Sequence, residues 1–163
     1  MESSRNPTGI LIDEDPRSSL LMIGGVLKIE IDRMRYHKHP LGAVADSSKV
    51  HLFINKLYEL NGINLFTLLD GTPIGAIGFC KSPLWWGKEG TSVLSEEFVL
   101  SLNNSYVGFG RIAVRRLEEL AEKLNCSLIM SGNLLGNTPK QTENLYMNKA
   151  KFDFSYKHFI KVL

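Results

Sequence analysis

The sequence of 163 residues has only two cysteines and no uninterrupted apolar run long enough to span a bilayer. Its 19 lysines and arginines nearly balance its 17 aspartates and glutamates, and no long basic run occurs, so we expect neither a nucleic acid nor a membrane as partner. The opening residues MESSRNPTG lack the charged start and the apolar centre of a signal peptide. We therefore expect a cytoplasmic protein whose Cys80 and Cys126 are buried, reduced thiols.

The length and composition are those of one soluble globular domain, with 44% hydrophobic and 22% charged residues. Residues 1–15 are predicted to form an N-terminal arm or first strand, and residues 16–163 a single domain. No metal site is predicted, because His37 and His39 share a loop that offers no third ligand, and such histidines are more often solvated.

Apolar periodicity and turn residues predict alternating helices and strands along the whole chain. The first half is predicted to contain a strand over 9–14, a helix capped by Asp15 and begun by Pro16 that ends near Arg35, a loop to Asp46, and a helix capped by Ser47 or Ser48 and ended by Asn61 and Gly62. A hairpin of 63–69 and 74–80 around Asp70 and Gly71 follows, and then a connection over 81–95. The remaining predicted elements are a strand over 96–102, a helix over 109–124 that Asn125 ends, a strand over 126–130, a helix begun by Thr138 and Pro139, and a strand over 152–162.

The stretch from Glu96 to Met130 carries the clearest functional signal. It combines an apolar strand, a glycine-bearing turn, an amphipathic helix and a second apolar strand. The helix places its apolar residues on one stripe and is predicted to point its charged residues, Arg116 among them, at water. Gly108 and Gly110 remove side chains where the first unpaired N–H groups of the helix emerge, so an anionic ligand can approach closely. This arrangement predicts a phosphate or pyrophosphate site.

Two phosphate-binding motifs fail at this turn. A P-loop requires a glycine followed by lysine and serine or threonine, and this sequence is absent. Gly108, Gly110 and Ala113 satisfy the dinucleotide pattern GxGxxA, but they lie late in the chain and the next strand ends in Met130 and Ser131 without an acidic residue for a ribose.

The segment SYVGFGRIAVRRLEELAEKLNCSLI resembles the cofactor motif of the GNAT superfamily of N-acetyltransferases, Arg/Gln-x-x-Gly-x-Gly/Ala at the head of a long helix. LFTLLDGTPIGAIGF is similar to the central hairpin of that family, and NLYMNKAKFDF to its terminal tyrosine helix and following strand. The resemblance covers residues 47–163. It departs at Ser105, where the family has Arg or Gln, and at Lys151, where it has glycine. Some chains encoded by tailed phages look similar.

The resemblance implies an α/β (α+β) fold with a central mixed, mostly antiparallel twisted sheet flanked by about four helices. It also implies acetyl-CoA as co-substrate, direct transfer of the acetyl group to a primary amine, and no metal. The cofactor-binding residues implied are Leu100, Leu102, Ser105, Val107, Gly108, Phe109, Gly110, Arg111, Asn137 and Asn144. Leu100 and Leu102 would contribute backbone groups.

The catalytic residues implied by the resemblance are a carboxylate and a tyrosine. Glu96 or Glu97 is the candidate base, and only one of them can face the cleft, because successive strand residues point to opposite faces. Tyr146 is the candidate acid for the departing thiolate. The alternatives are that both glutamates are solvated charges at the start of a strand and that Tyr146 packs beside Leu145.

A second hypothesis is a GNAT-like protein that has lost catalysis and serves as a structural or interaction subunit, for example a virion or host-directed component. Ser105 and Lys151 motivate it, together with Trp85 and Trp86 in the 81–95 connection. These tryptophans could pack on the core, line the acceptor site, or form a homodimer or other protein interface.

Overall fold

The computed structural model describes residues 9–37, 42, 44–131 and 144–149, and within them one five-stranded sheet has the order β1-β2-β3-β4-β5. The first four strands pair antiparallel and β5 pairs parallel with β4, which gives a mixed, mostly antiparallel sheet as predicted. The elements are β1 (Ile10–Asp13), α1 (Leu20–Tyr36), α2 (Val50–Glu59), β2 (Ile63–Leu68), β3 (Pro73–Pro83), β4 (Ser92–Ser101), α3 (Phe109–Lys123), β5 (Leu128–Met130) and a π-helical turn (Asn144–Lys149). The predicted helix start at Thr138 and the strand over 152–162 lie outside the described residues.

The sheet has an apolar cluster on each face. One cluster joins β2, β3 and β4 to α1 and α2 and contains Ile23, Ile54 and Phe98. The other joins β1, β2, β3 and β4 to α3 and contains Phe66 and Leu117. Helices therefore cover both faces, and α3 lies on the face opposite to α1 and α2.

The hairpin between β2 and β3 forms where the sequence predicts it, but the next connection is shorter than predicted. Gly71 has φ 85°, and the side chain of Asp70 accepts a hydrogen bond from the backbone N–H of Thr72 at 2.9 Å. Strand β3 continues to Pro83, which pairs with Ser92 at the start of β4. The predicted connection over 81–95 is therefore wrong, and the connection spans 84–91. Proline ends the strand here without interrupting it, because it occupies the last pair of the ladder.

Two helix starts differ from the prediction. The carboxylate of Asp15 does not cap α1 but accepts a hydrogen bond from the Tyr58 hydroxyl of α2. A short 3-10 turn precedes each helix. Before α2, Asp46 caps this turn, since its Oδ1 accepts from the backbone N–H of Ser48 at 3.1 Å, and neither Ser47 nor Ser48 caps the helix.

The prediction that Arg116 faces water is wrong. Its side chain lies in the interior, with the residue 7% exposed, and donates to Asn64 at 2.9 Å, to Glu119 at 3.1 Å and to Glu14. Asn64 is itself buried in β2. Position 116 is three residues after Ala113 and four before Leu120, so helical spacing places it at the edge of the apolar stripe. The buried amide of Asn64 and the more exposed carboxylates of Glu14 and Glu119 satisfy its donors.

We expect Arg116→Ala to lower the free energy of unfolding by about 3 kcal/mol, because the change leaves the buried amide of Asn64 without its partner. Arg115→Ala, at the exposed neighbouring position of the same helix, should change stability by no more than about 0.5 kcal/mol. Urea unfolding followed by circular dichroism measures both. Equal stability losses in the two variants would contradict a stabilising role for the Arg116 network.

Candidate active site

Strand β4 loses its β5 neighbour halfway along its length. The parallel pairs join 93–95 to 128–130, whereas β4 stays paired with β3 as far as Ser101. Beyond Ser95, the edge of β4 that faced β5 has no strand partner among the residues the structure describes. Glu96 and Ser131 are the first residues after the last β4–β5 pair, so they lie where the two strands separate.

Three side chains meet at this point. The hydroxyl of Ser131 donates to Oε2 of Glu96 at 2.6 Å, and the hydroxyl of Tyr146, in the π-helical turn, donates to the same oxygen. Tyr146 is 9% exposed. The other oxygen of Glu96, Oε1, is buried and has no hydrogen-bond partner in the described part of the chain. Glu96 and Tyr146, both predicted from sequence, are thus in direct contact; Ser131 was not predicted.

The pKa of each acidic group in the cluster is raised. Burial raises the pKa of Glu96, and the hydrogen bonds from Ser131 and Tyr146 only partly oppose this. Burial also raises the pKa of Tyr146, and the negative charge of Glu96 raises it further. A carboxylate with a raised pKa is a stronger base, and a tyrosine with a raised pKa keeps its proton at neutral pH. The pair can therefore accept one proton and donate another.

Glu97 belongs to the opposite face of the sheet. Gly78 pairs with Phe98 and Phe79 with Glu96, which makes Glu97 the extra residue of a β-bulge. Its Oε1 accepts a hydrogen bond from the thiol of Cys80 at 3.1 Å. Both glutamates lie in the middle of β4, so the prediction that they flank the start of the strand is wrong. Of the two, Glu96 is the one that contacts Tyr146.

Cys80 sits beside Glu97 in a strand, and both free cysteines are only partly buried. Burial raises the pKa of the Cys80 thiol to about 11, and the hydrogen bond and negative charge of Glu97 act in the same direction. Cys126 lies before β5 rather than within it.

The turn before α3 is fixed by its own polar groups. The side chain of Asn103 accepts from the backbone N–H of Ser105 at 3.0 Å, and its carbonyl oxygen accepts from Tyr106 at 3.0 Å. Gly108 has φ 95°, a conformation that favours glycine. In the described part of the chain, no acceptor takes the backbone N–H groups of Gly108, Phe109 or Gly110. These groups form the open N-terminus of α3.

Some residues around this turn are packed against the protein and others are exposed to solvent. The ring of Phe109 is buried against Gly75, where a Cβ would overlap it, and a Cβ at Gly110 would lie 2.9 Å from Leu145. Val107 and Arg111 are exposed. Because Gly110 has no side chain, the π-helical turn can pack against the first turn of α3.

The backbone of Leu102 points away from the open edge of β4. Its N–H donates to the carbonyl of Ile74 on β3 at 3.0 Å. Because successive residues of a strand direct their backbone groups to opposite edges, Leu100 also faces β3, and Val99 and Ser101 face the open edge. The cofactor contacts expected of Leu100 and Leu102 stay a prediction.

A cationic cleft lies between α3 and the π-helical turn. Its lining residues are Arg111, Val114, Arg115, Glu118, Leu145 and Lys149. The three cations outnumber the one carboxylate, so the cleft favours anions. Asn144 is exposed and accepts from Asn148 at 2.8 Å, and Asn137 lies outside the described residues.

Trp85 and Trp86 lie in the 84–91 connection and do not pack on the core. They are 86% and 63% exposed, and their rings make an edge-to-face contact with centroids 5.1 Å apart. A role in acceptor binding or in a protein interface stays a prediction.

Two kinds of feature are absent from the described residues. None of their helices is long and apolar enough to cross a membrane. They also contain no group of three or more His, Cys, Asp or Glu side chains that could hold a metal ion.

No protein-family model and no curated protein matches the sequence. Solved structures do match. They include a possible acetyltransferase from Clostridium difficile (TM-score 0.67, 11% identity, 94% of this chain and 97% of that one) and a GNAT family acetyltransferase from Staphylococcus aureus (0.59, 18%, 95% and 99%). Another is AAC(6')-Iy in complex with the bisubstrate analogue CoA-S-monomethyl-acetylneamine (0.58, 15%, 94% and 97%). The chain has the GNAT fold, as its resemblance to that superfamily predicted.

We expect Glu96→Gln to stabilise the protein increasingly as the pH rises above 4.5, the usual pKa of a glutamate. The pKa of Glu96 lies above its usual 4.5 in the folded state, so its contribution to stability is full below the unfolded pKa and is lost as the pH rises through the folded pKa. Glutamine cannot ionise and avoids this loss. Denaturant unfolding of both proteins across the pH range measures the difference, with Glu97→Gln as the control for net charge. A difference that is constant or shrinks with pH would contradict the buried, raised-pKa carboxyl.

We expect Cys80 to react with iodoacetamide roughly a hundredfold more slowly than an unhindered thiol at neutral pH, because a pKa of about 11 leaves little thiolate. The measurement is mass spectrometry of a Cys126→Ser background. Adding Glu97→Gln should speed the reaction, since it removes the adjacent charge, whereas Glu89→Gln in the exposed connection should not. No acceleration by Glu97→Gln would show that Glu97 does not hold this pKa up.

Proposed function

We propose that this protein is an acetyl-CoA-dependent N-acetyltransferase that transfers an acetyl group directly to a primary amine. The observation that carries the proposal is the buried contact of Glu96 with Tyr146 where β4 separates from β5, in a chain with the GNAT fold. A base and an acid joined at the open edge of a strand are what acyl transfer to an amine requires.

The proposed reaction uses both groups in turn. The neutral amine nitrogen attacks the thioester carbonyl carbon, and Glu96 accepts the proton that the nitrogen loses as the carbon–nitrogen bond forms. The carbon–sulfur bond breaks, and Tyr146 donates its proton to the departing thiolate. Backbone N–H groups on the open edge of β4, including that of Val99, are the donors available to the oxyanion.

The turn at Gly108 is the proposed site for the pyrophosphate of the cofactor. Three N–H groups at the start of α3, which find no acceptor in the described residues, and the positive end of the helix dipole favour an anion there. Arg111, Arg115 and Lys149 in the adjacent cleft are the proposed partners of a further phosphate group. Asn103 fixes the backbone of Ser105, and we propose that this bond replaces the Arg or Gln found there in the family.

The other cofactor contacts and the partners follow from the same proposal. Val107, Phe109 and Gly110 contribute through their backbone in the turn, and Asn144, together with Asn137, is a proposed contact of the cofactor arm. The acceptor is a primary amine of a small molecule or a protein. AAC(6')-Iy binds an analogue that joins CoA to acetylneamine, so an aminosugar belongs in the panel of acceptors to be tested.

We expect isothermal titration calorimetry to show acetyl-CoA binding to the wild-type protein, and Gly108→Ala to weaken it at least tenfold. A Cβ at φ 95° strains the turn and disturbs the N–H groups at the head of α3. Gly71→Ala is the matched control, because Gly71 also has a positive φ, 85°, but lies in the β2–β3 hairpin.

Turnover is tested by CoA release with lysine, an N-terminal peptide, spermidine and neamine as acceptors. We expect release with at least one amine, and a loss of at least a hundredfold in Glu96→Gln. Absence of binding at millimolar acetyl-CoA would overturn the proposal and favour the structural or interaction role. Binding without turnover of any amine would favour a GNAT-like protein that has lost catalysis.

A further inference from the structure

The two carboxylate oxygens of Glu96 have different surroundings. Oε2 receives both available hydroxyl donors, Ser131 at 2.6 Å and Tyr146. Oε1 receives none from the described residues, although it is fully shielded from solvent. A buried carboxylate oxygen that accepts no hydrogen bond lowers the stability of the fold, so its presence calls for a reason. The hydrogen bonds divide the carboxylate into an anchored oxygen and a free one.

We infer that Ser131 is a positioning residue that holds the Glu96 carboxylate by Oε2, in the orientation from which Glu96 serves as the base. The inference rests on the proposed function and adds a residue to it. Tyr146 alone could anchor Oε2, but Tyr146 must give its proton to the thiolate during the reaction. Ser131 is the donor that can stay in place throughout.

The position of Ser131 suits this role. It follows Met130, which is paired with Ser95, the residue before Glu96. The two ends of the hydrogen bond are thus each one residue from the same strand pair, and the sheet itself fixes their separation. A donor held by a sheet is more rigid than one on a free loop, and rigidity is what positioning requires.

Few other groups can influence Glu96. Phe79 faces it across β3, Glu97 points to the opposite face, and the ammonium of Lys81 donates to the carbonyl of Leu124 at 2.6 Å. Among the described residues, Tyr146 is the titratable group that contacts Glu96. Changes at Ser131 should therefore be read directly in the titration of Glu96.

The same geometry orders the two proton transfers. While Glu96 is ionised, its charge holds the Tyr146 proton at Oε2. When Glu96 accepts the amine proton, that charge disappears, the bond to Tyr146 weakens, and the tyrosine proton becomes available to the thiolate. Return of the proton from Glu96 to Tyr146 then restores both groups. One proton leaves the amine and one reaches sulfur, so the balance closes.

The test compares Ser131→Thr with Ser131→Val, which have nearly the same shape and differ by a hydroxyl. Glutamate labelled with ¹³C at the carboxyl carbon is followed by NMR from acid to neutral pH, and Glu96→Gln assigns the signal. We expect the pKa of Glu96 to rise in Ser131→Val, because a donor to the ionised form is lost, and to stay near the wild-type value in Ser131→Thr.

Kinetics with acetyl-CoA and the best amine of the panel provide the second measurement. Ser131→Val should lower kcat by about tenfold or more, leave KM for acetyl-CoA unchanged, and move the acidic limb of the kcat/KM profile to higher pH. Ser131→Thr should restore each of these within about threefold. Ser131→Ala and circular dichroism serve to show that the loss comes from the hydroxyl and not from the shape of the side chain.

An unchanged Glu96 titration in Ser131→Val, or equal behaviour of the valine and threonine variants in both measurements, would overturn the inference while leaving the proposed function intact. A wild-type protein that turns over no amine would instead overturn the proposed function. In that case, an unchanged Glu96 pKa in Ser131→Val would also show that Ser131 is not a hydrogen-bond partner of Glu96. A raised Glu96 pKa in Ser131→Val would support the hydrogen bond without a catalytic step.

Discussion

The early end of the β4–β5 pairing is the constraint on which the site depends. β5 contributes three residues to the sheet, and β4 continues for six more residues, with β3 as its partner strand among the residues that the structure describes. A strand edge with unpaired N–H and C=O groups favours an extended polar partner. Because Glu96 and Ser131 follow the last pair directly, the same break that exposes the edge also brings a carboxylate and a hydroxyl together.

The placement of α3 depends in turn on the absence of one side chain. The ring of Phe109 lies where a Cβ of Gly75 would be, so a larger residue on β3 would push the helix away from the sheet. Phe66 holds the ring from a second side, in an edge-to-face contact with centroids 5.3 Å apart. The first residue of α3 is therefore packed on the sheet, and the N–H groups beside it occupy a fixed position. Gly75 thus matters to the turn at Gly108 without being near it in sequence.

Local patterns in the sequence were enough for the β2–β3 hairpin and for α3, since Asp70 with Gly71 and the helical stripe from Phe109 act within a few residues. They were not enough for the β-bulge at Glu97, because a bulge is a property of the register between two strands. Without it, nothing in the sequence tells which glutamate meets Tyr146. Ser131 gave no signal at all, since its partner lies 35 residues away. For Arg116 the helical period points to the interior and the charge of the side chain points to water, and only the position of Asn64 on β2 decides between the two.

Arg116 and Glu96 differ in how fully their charged groups are satisfied. The guanidinium of Arg116 binds an amide and two carboxylates, so the low polarity around it strengthens bonds that are already complete. Glu96 has two donors on one oxygen and none from the described residues on the other. A complete set of partners stabilises a fold and resists protonation changes, whereas an incomplete set costs stability and leaves a lone pair for a proton. Arg116 is therefore suited to hold α3 to β2, whereas Glu96 is suited to proton transfer.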